Sequence, residues 1–134
     1  MTRNSLVLVV EDDPDCRDLM ADLLSVSGFR STTAANGVEA LEKLKQLGHS
    51  VCLIVLDLMM PIMNGWEFRS AQLRDNRMRD IPVIVLTADV RVDVSAAQLA
   101  PVACLPKPVA PDELLEVISQ HCPRDDSTTL QHPS

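Results

Sequence analysis

Aromatic side chains are almost missing: the 134 residues hold no Tyr, one Trp and two Phe. So few rings cannot build stacking platforms for bases or sugars. Basic residues are also scarce, 12 Lys and Arg against 19 Asp and Glu, and the net charge of -7 repels a phosphate backbone. Direct nucleic-acid binding is not expected. No apolar run approaches the ~18 residues of a membrane span, and the opening MTRNSLVLVVEDD meets acid too early for a secretory signal. The cysteines Cys16, Cys52, Cys104 and Cys122 form no CxxC pair, and three histidines without a shared spacing do not complete a metal site. The expectation is a cytoplasmic protein with reduced thiols, Cys16, Cys52 and Cys104 in the core and Cys122 exposed near the end. What is present, 46% apolar residues at one-domain length, suits a single folded unit over 1–122. The remainder, 123–134, has neither periodicity nor apolar content and reads as a disordered tail.

Hydrophobic period alternates along that unit. Residues 6–10 are a short β-branched run that stops at Glu11, Asp12 and Asp13, as a buried strand opening onto acid would. Asp13 and Pro14 then suit a helix start, and Cys16, Leu19, Met20, Leu23 and Leu24 recur at three and four residues until Gly28. A second strand is predicted over 29–33, followed by a helix capped by Asn36 that presents Val38, Leu41, Leu44 and Leu47. The unbroken VCLIVL of 51–56 reads as a central parallel strand covered on both faces, ending at Asp57. A helix over 65–73 with Trp66 turned inward, solvated Arg74, Arg77 and Arg79, and a strand over 82–86 ending at Thr87 come next. A weaker helix over 90–99, a marginal strand over 102–105 and a helix from about Pro111 complete the pattern. Five such pairs predict an α/β fold with a five-stranded parallel sheet, order 2-1-3-4-5, and helices on both faces. Ligands in such sheets bind beyond the carboxyl ends of the strands.

Those ends carry Glu11 and Asp12, Asp57, Thr87, and Lys107 between two prolines. Clustered carboxylates repel, and a hard cation such as Mg²⁺ relieves the repulsion. With an ammonium and a hydroxyl opposite, the set suits phosphoryl transfer to a carboxylate.

VLVVEDDPD, LDLMMPIMNG, VLTA and LPKP, in this order and spanning 6 to about 121, resemble the receiver domain of two-component response regulators, the stand-alone, chemotaxis-regulator-like kind. The resemblance implies a flavodoxin-like (βα)5 fold in which Asp57 takes a phosphoryl group from a histidine kinase or phosphotransfer protein. It further implies a Mg²⁺ site of Asp12, Asp57 and the Met59 backbone carbonyl, with Glu11 acting through water. Thr87 and Lys107 would contact the phosphoryl group, and the Lys107–Pro108 bond resembles one often held in cis. The protein would then catalyse its own phosphorylation and dephosphorylation and act by contact with a downstream protein. Cys104 stands where the family usually has an aromatic switch partner for the threonine, and Pro101 replaces a common glycine-containing turn, so the output face departs from the pattern. Met59 and Asp89 occupy the two positions tied to phosphate lifetime. Two other readings compete: a pseudo-receiver acting as a constitutive interaction module, and a small aspartyl-phosphate hydrolase, for which no capping segment is visible. Whether two copies pair on phosphorylation is open at this level.

Overall fold

The computed structural model describes residues 5–60, 62–88 and 99–124. Its strands are β1 (Leu6–Val10), β2 (Arg30–Ala34), β3 (Val51–Asp57), β4 (Val83–Thr87) and β5 (Ala103–Pro106). Its helices are α1 (Pro14–Val26), α2 (Gly37–Leu47), α3 (Gly65–Leu73) and α4 (Pro111–His121). The strands form one parallel sheet in the order β2-β1-β3-β4-β5, as the alternating period predicts. The weaker helix over 90–99 falls outside the described residues except for Leu99, and so do Asp89 and 125–134.

The two faces of the sheet bury different side chains, as strand pleating requires. Leu6, Leu8 and Val10 of β1 join Leu44 of α2 and Phe68 of α3 in one core. Val7 and Val9 join Met20 and Leu24 of α1 and Leu114 and Ile118 of α4 in the other. Every residue of β3 is buried, which is why its run shows no alternation. Two helix faces differ from expectation. Val38 and Leu19 are exposed, because α2 turns Ala40 and Leu44 inward and α1 turns Met20 and Leu24 inward.

Helix boundaries follow local chemistry. Asp13 and Asn36 cap α1 and α2 through their side chains, and Asn64 with Glu67 forms a reciprocal capping box on α3. Gly65 is required by space, since a Cβ there would lie 2.7 Å from the Leu58 Cα. Strand limits lie one residue later than expected for β2, β4 and β5, and β3 includes Asp57 itself. Trp66 is half-buried and packs against the α2 and α3 side of the core.

Three of the cysteine expectations are corrected. Cys52 and Cys122 are both buried and joined in a disulfide, with Cα atoms 5.5 Å apart, so Cys52 is not reduced and Cys122 is not exposed. Cys16 is exposed, because it sits in the first turn of α1, one turn before Met20, the first residue of the helix that reaches the core. Cys104 is half-buried against the α2 and α3 side. Past α4, Arg124 donates to Ser27 O (3.0 Å) and lies 5.3 Å from the Phe29 ring centroid.

Arg74, Arg77 and Arg79 are exposed, with Arg77 paired to Asp75 at 3.1 Å. A different arginine is buried: Arg69 donates to Gln72 Oε1 (2.8 Å) and Leu99 O (2.9 Å). Gln72 in turn donates to Met78 O and Ile81 O, so the pair ties α3 to the chain on both sides of β4.

Candidate functional site

Parallel register aligns the carboxyl ends of the strands and with them the predicted site residues. Val10, the last residue of β1, pairs with Leu56, and Asp57 pairs with Leu86, one residue before Thr87. Thr87 pairs with Pro106, and its carbonyl accepts a hydrogen bond from Lys107 N at 2.8 Å. Glu11, Asp57, Thr87 and Lys107 therefore share one rim.

Three carboxylates converge there. Glu11, Asp12 and Asp57 each offer an oxygen, all within 4.8 Å of one another, with Asp12 the most open of the three. Glu11 and Asp57 are only 1% and 3% exposed. Burying charge at this level demands partners, and Lys107 supplies them. Its Nζ donates to Glu11 Oε1 (3.0 Å) and lies 3.1 Å from Asp57 Oδ2. The second oxygens are also bonded: Glu11 Oε2 accepts from Asp13 N (3.2 Å) and Asp57 Oδ1 from Met59 N (3.1 Å). Burial works against the Lys107 charge, yet the bonds to Glu11 and Asp57 outweigh it together and hold the ammonium above the ordinary lysine value. The Lys107–Pro108 peptide is cis.

Of the remaining predicted residues, Thr87 and Met59 lie on or near this rim and Cys104 does not. Thr87 is buried. The Met59 side chain is 64% exposed, while its peptide N–H reaches the Asp57 carboxylate. Cys104 sits one strand residue before Leu105, paired with Val85, on the sheet rather than at the acidic pocket. Hard oxygen ligands in this number fit a cation of the Mg²⁺ type, and the donor set contains no thiolate or imidazole that would favour a softer metal.

Two features escape a reading of the chain alone. Glu11 bonds Lys107 directly, a pairing across 96 residues that no local spacing signals. Arg17, one turn into α1, reaches back with Nη1 to Glu11 O at 2.9 Å. A lone basic residue near a helix start, where acid is favoured, is the only trace of it in the sequence. Beside the rim runs an apolar groove of about 700 Å³, whose lining includes Glu11, Cys16, Lys107, Leu19, Leu23 and Leu114.

Known proteins agree with this geometry. The family model of the response regulator receiver domain matches residues 7–119. A transcriptional regulatory protein CpxR homolog of Haemophilus influenzae is 40% identical over 114 residues, covering 83% of this chain and 47% of that protein. The chain thus spans about half the length of that regulator and of several others it matches. Among solved structures, the chemotaxis protein CheY4 of Vibrio cholerae aligns with a TM-score of 0.78 at 27% identity, over 89% of this chain and 99% of that one. The receiver domain of the sensor histidine kinase PA1611 from Pseudomonas aeruginosa, solved with a magnesium ion in its active site cleft, shares the fold with a TM-score of 0.79 at 24% identity, over 89% and 98% of the two chains. The cluster of Glu11, Asp12 and Asp57 has the make-up of a phosphoaccepting, cation-binding receiver site. With the family match running from β1 into α4, the chain belongs to the response regulator receiver domain family.

Proposed function

We propose that Asp57 is a phosphoacceptor and that the phosphorylated protein signals by changed contact with another protein. The donor is the phosphohistidine of a histidine kinase or phosphotransfer protein. An Asp57 carboxylate oxygen attacks phosphorus, the P–N bond to imidazole breaks, and an acyl phosphate forms while the imidazole regains a proton. Asp12, Asp57 and the Met59 carbonyl would hold Mg²⁺, with Glu11 beside them, and the ion supplies charge neutralisation for the incoming phosphoryl oxygens. Lys107, already within 3.1 Å of Asp57, is the ammonium placed to take one of those oxygens, and Thr87 offers a hydroxyl to another. Hydrolysis of the acyl phosphate by water returns the carboxylate and inorganic phosphate.

The observation that carries this reading is the single Lys107 Nζ held between Glu11 Oε1 and Asp57 Oδ2 inside a cluster of three carboxylates. An ordinary surface cap would need neither the burial nor the shared cation. The expected outcome is that acetyl phosphate with Mg²⁺ adds one phosphoryl group to the protein by intact mass, and that Asp57→Asn abolishes the addition. Retention of the same label in Asp57→Asn would assign the acceptor elsewhere.

A second reading draws on Cys104. A small side chain half-buried in the sheet cannot swing a ring in and out as the family's usual aromatic does. Phosphorylation would then leave the β4 and β5 face unchanged, as in a constitutive interaction module. Amide shifts between the free and the beryllofluoride-treated protein separate the two: changes reaching β5 support the switch, and changes confined to the acidic rim support the module.

A further inference from the structure

The turn joining β1 to α1 has to bring Glu11 and Asp12 towards Asp57 against the mutual repulsion of their carboxylates. Glu11 N, which donates to Ala34 O at 3.0 Å, makes the last bond of this segment to the neighbouring strand. Beyond it, one residue closes the turn. Arg17 Nη1 donates to Glu11 O (2.9 Å) and to Asp12 O (3.4 Å), and Arg17 N donates to Asp13 O (2.9 Å). The Arg17 side chain thus binds two consecutive carbonyls, and its main-chain N–H makes the ordinary first bond of α1, while the Asp13 N–H is taken by the Glu11 carboxylate.

We propose that Arg17 is a positioning residue for the cation site: its guanidinium holds the backbone of Glu11 and Asp12 so that their carboxylates stay converged on Asp57. The inference rests on the cation-site reading given above. A planar guanidinium can span adjacent carbonyls with fixed N–H directions, which a lysine ammonium on a flexible stem does not reproduce. Residues that orient a metal's ligands without touching the metal commonly affect affinity by about 10-fold to 100-fold. Simple electrostatics predicts the opposite sign. A positive side chain beside the cluster repels an incoming cation, so a purely Coulombic role would make its removal strengthen binding.

Mn²⁺ titration of the full chain, followed by electron paramagnetic resonance, distinguishes these. Both Arg17→Met and Arg17→Lys are expected to weaken Mn²⁺ binding by roughly tenfold or more. The Mg²⁺ concentration giving half-maximal phosphorylation by acetyl phosphate should rise in step, with the plateau rate at saturating Mg²⁺ kept. Equal or tighter Mn²⁺ binding by either variant overturns the proposal, and so does a lowered plateau with unchanged affinity, which is what general structural damage produces. If Arg17→Met does not fold, Arg17→Lys carries the test alone. Asp12→Asn serves as the control. Mn²⁺ binding by the parent protein that Asp12→Asn removes keeps the site reading whatever Arg17 does, whereas no binding by the parent protein rejects both.

Discussion

At the level of single residues, Lys107 concentrates the electrostatics of the site. Its ammonium faces two nearly buried carboxylates, and they hold it above the ordinary lysine value despite the cost of burial. A raised folded value means that this residue's contribution to stability is complete below the unfolded lysine value of about 10.4 and is lost as pH climbs through the folded one. Urea midpoints measured from pH 8 upward should therefore hold until about pH 10 and then fall, and Lys107→Met should flatten that alkaline limb. An unchanged limb in the variant would show that other groups cause it. Cys16 illustrates the contrary case of an exposed group made less reactive. Its hydrogen bond with Asp13, some burial and the neighbouring Glu11 carboxylate push the thiol up, so it stays protonated at neutral pH although solvent reaches it.

Among the elements, the β3 to α3 connection shows local sequence at odds with backbone. Ile62 has φ of 71° and is 79% exposed, so a β-branched side chain occupies left-handed space without packing in return. Such strain costs on the order of 1–3 kcal/mol, against about 0.5–1 kcal/mol for the extra freedom of glycine when unfolded. Ile62→Gly should raise stability by about 1 kcal/mol in denaturant titration; a loss would mean that the Ile side chain contributes packing after all. Elements whose logic is local were readable from the chain: the unbroken VCLIVL of β3, the Asp13 and Asn36 caps, and the span of α3. Edge strands were less so, since RSTTA of β2 has little apolar pattern to fix its limits and begins one residue late. The rim itself was legible because β1, β3, β4 and β5 each end at or just before a chemically distinct residue, Glu11 with Asp12, Asp57, Thr87 and Lys107. Pairings over long separations were not, and this is why the Glu11 to Lys107 bond and the joining of Cys52 to Cys122 appear only in three dimensions.

On the scale of the whole molecule, the disulfide closes a separation of 70 residues. In the chain-entropy account a closed loop of that size limits the unfolded state by on the order of 4 kcal/mol. Reduction by dithiothreitol, or Cys122→Ala, should lower the unfolding free energy by an amount of that order while leaving Mn²⁺ affinity unchanged. A matching fall in affinity would contradict the separation of the two regions. That separation follows from direction. Cys52 is the second residue of β3 and Asp57 its last, and α4 runs back from the Lys107 loop to end at Cys122. The protein is thus built like a bracket, bolted at one end and open at the other. Loops at the open end can exchange residues, lengthen or shorten with little effect on the anchorage, so new recognition could arise there while the frame beneath stays as it was.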